Sequence, residues 1–302
     1  MKNILITGGT GLVGKHLTEL LLTKGYNVSV LSRSPKKQAN QISYYRWDVS
    51  RQYIDENSLI AVDAVIHLAG ANIGDKRWTK NRKQEILESR VDSTNLLFQS
   101  IQKQNPELKK FICASAIGYY GTVTSYQIFS EESDAGGDFL ANVCASWESE
   151  ALKCQGLGVS TSIVRNGIVL AKEDGALPKM AFPAKLGLYS PIGSGQQYMP
   201  WIHIQDLCNM YLFLLEHPKI DGVFNAVSSE HISNSSFSRV LTNVLNRPFF
   251  MPNIPAFFIR LMFGEMAVIL LNGSRVDNQK IKEAGFSFEF DNLKSALTNL
   301  LA

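Results

Sequence analysis

A glycine-rich turn close to the N-terminus constrains the fold more than any other feature of the chain. It reads Gly9-x-Gly11-x-x-Gly14 and lies between an apolar run of strand type and apolar residues at helical spacing. A strand–glycine loop–helix unit lets the backbone approach a pyrophosphate, which the free N–H groups of the helix start bind. A glycine-rich turn without a ligand is the plainer alternative. We predict a dinucleotide-binding turn with these cofactor contacts: Gly8, Gly9, Thr10, Gly11, Leu12 and Val13.

The segment after the second predicted strand, residues 27–31, distinguishes between the two nicotinamide cofactors. An NAD site carries an Asp or Glu about 20 residues past the glycines, where it binds the ribose hydroxyls. Here the segment is basic and contains Arg33, Lys36 and Lys37. Because Arg33 can pair with a 2′-phosphate and no acid opposes that phosphate, we predict NADP(H) in preference to NAD(H). A solvated basic loop is the alternative.

Strand-like and helix-like segments alternate along most of the remaining chain. Strands are predicted at residues 43–47, 64–68, 110–114, 159–164 and 222–227, and long helices at 79–103 and 139–155. This alternation predicts the α/β class, with a Rossmann-type doubly wound parallel sheet that binds ligands at the carboxyl ends of its strands. At two of those ends we predict cofactor contacts: Asp48 near the adenine, and the small segment Leu68, Ala69 and Gly70, against which the cofactor can lie closely.

The chain is long enough for a large domain and a smaller appendage. We predict an NAD(P)-binding domain at residues 1–246, with a substrate-side insert at about 171–200, and a small C-terminal domain at 247–302 that forms a substrate-side lobe. Residues 249–271 carry apolar side chains at helical spacing. They form either a helix packed on the sheet or the interface of a homodimer, and the sequence leaves both open.

Composition and charge exclude several classes of function. The net charge of +3 lacks the clustered basic excess of a nucleic-acid binder. The apolar stretch at residues 257–271 contains Arg260 and Glu265 and is too short to span a bilayer, so we expect no membrane partner. The apolar core begins almost at the first residue, without a signal peptide, and the four cysteines show no CxxC or zinc spacing. We therefore expect a cytoplasmic protein with reduced thiols and no metal site.

Further motifs follow the glycine turn in a characteristic order. They are the segments at residues 67–70, 114–121, 165–167 and 193–206. With the glycine turn, they resemble the extended short-chain dehydrogenase/reductases of the NAD-dependent epimerase/dehydratase family. Residues 75–79, 89–90, 118–121, 191–195 and 283–286 are similar to a branch of epimerase-like oxidoreductases, or sugar-nucleotide epimerase-like proteins, with a short extra C-terminal domain. This resemblance covers nearly the whole chain and implies the fold, the cofactor and a small-molecule substrate.

One departure from the family pattern bears directly on function. In the family, a Tyr-x-x-x-Lys pair moves the proton that accompanies hydride transfer. None of the ten tyrosines of this chain has a lysine four residues later, and residues 139–148, where the pair is expected, contain neither residue type. The chain is therefore an atypical member, and the family name supplies no reaction for it.

Other groups must move the proton if the chain is an enzyme. Our catalytic candidates are Tyr119, just past the fifth predicted strand, Ser115 at the end of that strand, and His203. Each has a plainer interpretation as a packed side chain, and this interpretation is favoured for His203. Glu148, on the helix that normally carries the catalytic lysine, is expected to be a surface or salt-bridged carboxylate.

A basic loop and an aromatic residue provide the candidates for substrate binding. They are Arg77 and Trp78, which follow the fourth predicted strand, and Tyr120, for which packing is the plainer interpretation. A solvated basic turn with Trp78 packed as an anchor is the alternative for the first two. Arg90 falls where the family tends to place an active-site Asn, and we predict that it binds the cofactor or an anionic substrate. The predicted function is an NADP(H)-binding, epimerase-like oxidoreductase acting on a small, anionic substrate. A non-catalytic NADPH-binding sensor or partner-binding protein is the alternative.

Overall fold

The computed structural model describes residues 1–35 and 42–302. Its strands are β1 (Asn3–Thr7), β2 (Asn27–Ser32), β3 (Ile42–Asp48), β4 (Tyr53–Ile54), β5 (Ala64–His67), β6 (Lys110–Ala116), β7 (Ile128–Phe129), β8 (Ser160–Asn166), β9 (Ile168–Leu170), β10 (Trp201–His203), β11 (Gly222–Ala226) and β12 (Arg275–Val276). Its α-helices are α1 (Leu12–Thr23), α2 (Lys80–Gln104), α3 (Phe139–Leu152), α4 (Ala176–Lys185), α5 (Ile204–Glu216), α6 (Asn234–Val244), α7 (Ala256–Phe263), α8 (Val268–Leu271), α9 (Gln279–Glu283) and α10 (Leu293–Leu301).

The central sheet has the strand order β11–β8–β6–β5–β1–β2–β3–β4. All neighbouring strands in it are parallel except β3 and β4, which are antiparallel. The chain runs outward from β1 to β3 and then crosses back to β5, on the other side of β1. The strand order therefore reverses next to β1, where open α/β sheets bind their ligands. The predicted doubly wound Rossmann-type fold is confirmed.

Helices cover both faces of this sheet. Side chains alternate between the faces along a strand, so Ile4 and Ile6 pack with α1 and α5, whereas Leu5 packs with α2 and α3. Strands buried on both faces are apolar throughout, which is why the sequence shows short continuous apolar runs at these positions.

Local capping signals fix the starts of the two long helices. Thr79 Oγ1 accepts a hydrogen bond from the N–H of Arg82 at 3.2 Å, and Asp138 Oδ1 accepts one from Ala141 N–H at 2.9 Å. Each bond satisfies one of the unpaired N–H groups of a helix N-terminus. Helix α2 matches the prediction to within one residue at each end, whereas α3 passes into a 3₁₀ turn (Lys153–Leu157) earlier than predicted.

The C-terminal segment divides into two parts with different surroundings. Ile281, Phe286 and the buried side of α10 belong to the same core cluster as α1 and α5, so the last residues complete the core on that face of the sheet. In α7, by contrast, Ile259 alone is buried. The apolar spacing of residues 249–271 thus predicted a helix correctly, but α7 does not pack its apolar side chains on the sheet.

Candidate cofactor and substrate site

The glycine turn joins β1 to α1 at the centre of the sheet. Gly8 has a φ of +68°, and a Cβ there would lie 2.9 Å from the carbonyl group of Leu68. A Cβ on Gly14 would overlap the carbonyl oxygen of Gly8, so this glycine lets α1 pack directly on the turn. A Cβ on Gly11 would meet only the Gly8 oxygen, at 3.3 Å, among the described atoms. Side chains are therefore excluded at Gly8 and Gly14 by contact with the backbone, whereas the space beside Gly11 is open to a ligand.

The start of α1 fits a bound anion. Gly11 is its N-cap and provides no side-chain cap, and the first turn contains no acidic residue. The first N–H groups of a helix have no intrahelical partner, and they lie at the positive end of the helix dipole. These groups can hold a pyrophosphate, so the geometry of this chain fits a dinucleotide at the predicted residues.

Arg33 and Asp48 follow neighbouring strands on one side of the turn. Arg33 lies just after β2 and is exposed, and it takes part in none of the ion pairs formed between described residues. Asp48 ends β3, and its Oδ1 accepts a hydrogen bond from Ser50 Oγ at 2.7 Å, which lowers the pKa of this carboxyl group. The predicted Lys36 and Lys37 lie outside the described residues.

The other side of the turn is the carboxyl end of β5. Thr7 Oγ1 accepts the N–H groups of Leu68 and Ala69, at 3.1 and 3.2 Å, which holds the chain leaving β5 against β1. His67 is buried, its Nδ1 lies 2.6 Å from Thr7 Oγ1, and burial lowers its pKa to about 3. This histidine is therefore neutral and structural.

Arg90 is a partly buried cation at the same strand end. Its Nη1 donates to the carbonyl groups of Ala71 and Ile86 at 3.1 and 3.0 Å, and its guanidinium lies 5.1 Å from the ring centre of Trp147. A Cβ on Gly70 would come within 3.0 Å of its Cζ. Burial lowers the pKa of Arg90, and none of the ion pairs in the described chain includes it. Arg90 is thus a charge without a protein counterion beside the predicted cofactor site.

Beside β6, the inward face of α3 carries a buried ion pair. Arg165 Nε and Nη2 donate to the two carboxylate oxygens of Glu148 at 2.9 and 2.8 Å, and Ser115 Oγ donates to Glu148 Oε1 at 2.5 Å. All three side chains are buried. The structure thus confirms the salt-bridged interpretation of Glu148. It also commits the Ser115 proton to Glu148, so Ser115 can accept but not donate a hydrogen bond.

The same network extends to Tyr120. The Tyr120 hydroxyl accepts from Arg165 Nη1 at 2.9 Å and donates to Asn225 Oδ1 at 2.7 Å, and this side chain is 1% exposed. Burial raises the pKa of its phenol to about 12. A hydroxyl with two protein partners and no exposure does not suit the predicted substrate contact. The plainer interpretation, packing, describes Tyr120 better.

Tyr119 differs from its neighbour in its surroundings. Its side chain is half-buried, and the Arg165 guanidinium lies 3.4 Å from its ring centre. Its hydroxyl makes no hydrogen bond with a described residue. Of the two catalytic candidates that carry a hydroxyl, Ser115 donates its proton to Glu148 in a hydrogen bond, whereas the Tyr119 hydroxyl has no partner among the described residues.

The two candidates in the loop after β5 are engaged by the protein. Arg77 Nε donates to Met262 O at 2.8 Å, and its Nη2 contacts Leu261 O, so its guanidinium caps the C-terminal end of α7. Trp78 is buried, with its Nε1 donating to Ile73 O at 2.9 Å. The anchoring alternative thus describes Trp78. The contact between Arg77 and α7 joins residues about 185 positions apart, and no local sequence signal could reveal it.

His203 lies apart from the other catalytic candidates. Its Nδ1 accepts the Gln205 N–H at 3.1 Å, its Nε2 lies 3.2 Å from Asn299 Oδ1, and its ring stacks on Phe290. Burial lowers its pKa to about 4. It lines a cavity of about 350 Å³ between α1, α5 and α10, among whose lining residues neither Ser115 nor Tyr119 is found. The fold therefore does not bring His203 together with the other two catalytic candidates, Ser115 and Tyr119.

A second cavity, which the sequence analysis missed, lies beside the predicted substrate residue Trp78. It has a volume of about 140 Å³ and lies between the N-terminal ends of α2 and α3 and the start of α8. The lining residues are Trp78, Lys83, Thr122, Asp138, Phe139, Leu140, Glu265 and Val268. Lys83 and Glu265 form an ion pair across it, so the C-terminal segment supplies part of its wall.

Neither a metal-binding cluster nor a membrane-spanning helix occurs among the described residues. In residues 1–35 and 42–302, no group of three or more His, Cys, Asp or Glu side chains is placed to hold a metal ion. No helix in these same ranges has the length and apolar character needed to cross a membrane.

The fold and the glycine turn define a Rossmann-type NAD(P)-binding protein. More narrowly, the chain belongs to the NAD dependent epimerase/dehydratase family, whose model matches residues 4–226. Residues 254–300 match a domain of unknown function, DUF1731. The resemblance noted from the sequence is thereby confirmed, including the short C-terminal domain.

Relatives cover the full length of the chain. The epimerase family protein YfhF of Bacillus subtilis is 35% identical over 301 residues, which cover 99% of this chain and 98% of that protein. The human epimerase family protein SDR39U1 is 33% identical over 303 residues, 99% of each chain. A crystal structure of human SDR39U1 with NADPH superposes with a TM-score of 0.89 at 32% identity, covering 99% of this chain and 98% of that one. A nucleoside-diphosphate sugar epimerase from Corynebacterium glutamicum has a TM-score of 0.81 at 27% identity, covering 99% of this chain and 58% of that one.

Proposed function

We propose that this chain binds NADP(H) and is an epimerase-like oxidoreductase for a small, anionic substrate. The observation that carries the proposal is the uncapped, acid-free start of α1, with Arg33 rather than an acid after β2. Gly8, Gly9, Gly11 and the end of β5 would hold the pyrophosphate side of the cofactor. The NADPH in the crystal structure of the relative SDR39U1 supports this choice of cofactor.

Tyr119 is the proposed proton donor and acceptor. A bound nicotinamide supplies or accepts a hydride, and a nearby group must move the accompanying proton. Tyr119 follows β6 at the edge of the sheet where the ligand binds, and its hydroxyl has no partner among the described residues. The Arg165 guanidinium under its ring fixes the phenol in place. Glu148 holds the same guanidinium in place, so the ion pair fixes the position of the Tyr119 ring.

Arg90 is the proposed anion-binding group. A partly buried guanidinium without a carboxylate partner is stabilised when an anionic ligand reaches it, because ion pairing offsets the cost of its partial burial. Its position against Gly70 places it beside the strand end that the cofactor approaches. It would therefore bind an anionic group of the substrate, or of the cofactor where the two meet. Arg77 is excluded from this role because its guanidinium holds α7.

A turnover experiment tests the enzyme proposal. The purified chain with NADPH is offered aldehydes and ketones, with and without a carboxylate, and the loss of NADPH absorbance is followed. We expect turnover of a carboxylate-bearing carbonyl compound, and a loss of at least about 100-fold for Tyr119→Phe, the scale of general acid–base catalysis. The matched control is Tyr126→Phe, because Tyr126 is 90% exposed and its hydroxyl bonds to no described residue. Equal turnover by Tyr119→Phe would remove Tyr119 from this role.

One observation favours the second candidate, a non-catalytic NADPH-binding sensor. The inward face of α3 carries no tyrosine or lysine, and both Ser115 and Tyr120 are committed to the buried network. A sensor would bind NADPH without consuming it, and its capture of a partner protein would depend on the cofactor. NADPH-dependent capture, together with no oxidation of NADPH by any carbonyl compound, would favour the sensor over the enzyme.

A further inference from the structure

Helix α4 and the turn after it expose a set of apolar side chains. Phe182, Leu186 and Leu188 are 71%, 60% and 58% exposed. The buried side chains of α4 are Leu177, Ala181 and Ala184, so Phe182 projects away from the buried side of the helix, and Leu186 and Leu188 lie in the turn after it. Large apolar side chains that project together from a surface generally mark a contact.

A second apolar segment lies next to the first although it follows about sixty residues later. Its exposed large side chains are Phe250, Phe257, Phe258, Leu261 and Met262. Two contacts join the segments: a Cβ on Gly187 would lie 3.9 Å from Pro248, and Gly193 N–H donates to Ile254 O at 2.8 Å. The fold therefore brings the two sets of side chains to neighbouring parts of the surface.

The charges on these two segments all have the same sign. The basic residues are Lys179, Lys185, Arg239, Arg247 and Arg260, and all five are exposed. Residues 175–200 and 239–264 contain no Asp or Glu. None of the five cations belongs to an ion pair of the described chain. We refer to the exposed apolar and basic side chains of residues 175–200 and 239–264 as the basic apolar surface.

We propose that the basic apolar surface binds the face of a lipid bilayer that contains anionic lipid. Phe and Leu side chains projecting from short helices enter the boundary between headgroups and acyl chains, while lysine and arginine side chains lie among anionic headgroups. Helix α7 shows this pattern within eight residues, with Arg260 between two exposed phenylalanines and the pair Leu261 and Met262. Charge complementarity thus favours an anionic partner. The protruding apolar side chains favour a fluid lipid surface, which they can enter, over a protein partner, which would need a groove to receive them.

A second copy of the chain fits this surface poorly. A two-fold interface places the same patch on both subunits, so the five unpaired cations of one copy would face those of the other. Like charges brought together without counterions are repelled. The expectation of no membrane partner came from the lack of a stretch able to span a bilayer. Contact with one face of a bilayer needs no such stretch.

Vesicle sedimentation with the full chain tests the proposal. Sucrose-loaded vesicles of phosphatidylcholine, and of a two-to-one mixture with phosphatidylglycerol, are pelleted with the protein at low and at high salt. We expect binding to the anionic vesicles alone, weakened by salt because the attraction is screened. Arg247→Glu with Arg260→Glu, and separately Phe257→Ser with Leu261→Ser, should each weaken binding at least about tenfold.

Matched controls make the same changes of charge and polarity at positions outside the basic apolar surface. They are Lys24→Glu with Lys103→Glu, and Ile60→Ser with Tyr126→Ser, all at exposed positions outside the two segments. An unchanged midpoint of thermal unfolding in every variant shows that the fold is intact, and it keeps this test separate from the proposed function because it needs no bound cofactor. No binding to anionic vesicles, or binding that the surface variants leave unchanged, would overturn the proposal. So would a dimer in sedimentation velocity that the surface variants dissociate, since a second copy would then cover the surface.

Discussion

At the scale of single residues, the buried pair of Glu148 and Arg165 determines how the centre of the site is arranged. Glu148 accepts a hydrogen bond from Ser115, Arg165 donates one to the Tyr120 hydroxyl, and the Arg165 guanidinium packs against the ring of Tyr119. The sequence left Glu148 as either a surface or a salt-bridged carboxylate and gave no partner, because Arg165 lies on β8 and the two meet only when α3 packs on the sheet. Motifs thus located the hydroxyl residues, while the tertiary contacts determined which of them remains uncommitted.

Breaking this pair should strongly destabilise the fold. Glu148→Leu leaves the Arg165 guanidinium buried without a counterion, and we expect the free energy of unfolding to fall by about 3–5 kcal/mol. The double variant Glu148→Leu with Arg165→Leu should lose less than the sum of the two single variants, because no uncompensated charge remains. Urea unfolding measures all three.

An exposed pair of the same kind serves as the control. Lys153 and Glu150 form an ion pair near the surface, and Lys153→Ala should change the free energy of unfolding by less than about 1 kcal/mol. A Glu148→Leu variant that unfolds no more easily than Lys153→Ala would mean that the buried pair contributes nothing to stability.

At the scale of elements, strand–helix alternation and glycine spacing predicted most of what the structure contains. The predicted parallel strands, α2 and the start of α3 all appear, since their signals are local: apolar runs, helical spacing and caps. The end of α3 was predicted too late because residues 153–157 retain helical composition but form a tighter turn. The position of α7 could not be predicted, because the contacts that place it are long-range: Arg77 bonds to its C-terminal end, and residues 191–193 pair with Ile254 just before it.

Gly14 is a test of the close contact between β1 and α1. A Cβ there overlaps the backbone of the glycine turn, so Gly14→Ala must displace the helix or the turn. We expect a loss of stability of about 1–3 kcal/mol and a larger, parallel loss of dinucleotide affinity. Thermal unfolding and a cofactor titration measure the two effects.

Gly156→Ala is the matched control, since a Cβ at Gly156 meets no described atom within 4 Å. Its stability should stay the same or rise slightly, because alanine restricts the unfolded chain. If Gly14→Ala behaved like Gly156→Ala in both measurements, the tight contact of α1 with the turn would not exist in solution.

At the scale of the whole molecule, the C-terminal segment connects the loop after β5 to the cavity at the N-terminal ends of α2 and α3. Arg77 holds the end of α7, Lys83 pairs with Glu265, and Met266 is buried in one cluster with Trp78. Residues 254–300, which match the domain of unknown function, therefore contact the loop after β5 and line part of this cavity. The sequence predicted a substrate-side lobe, but it assigned Arg77 to substrate rather than to this contact.

Removal of the Arg77 side chain should loosen this connection. Arg77→Ala loses the hydrogen bonds to the end of α7, each worth about 0.5–1.5 kcal/mol, so amide hydrogen exchange in residues 256–267 should accelerate while the central sheet stays protected. Arg51→Ala, at an exposed position with a surface ion pair, should leave exchange unchanged. The connection would be disproved by equal exchange of residues 256–267 in Arg77→Ala and the wild type.

The central claim, that the chain binds NADP(H) through the turn of β1 and α1 with Arg33 on the 2′-phosphate, is tested most directly by comparing cofactors. The wild type and Arg33→Glu are titrated with NADPH and NADH, with tryptophan fluorescence as the readout and Lys24→Glu as the charge-matched control. We predict tighter binding of NADPH than of NADH by the wild type. In Arg33→Glu, NADPH affinity should fall about 10- to 100-fold and NADH affinity should change little, since only NADPH carries the phosphate. Equal losses for both cofactors, or no binding of either by the wild type, would contradict the account.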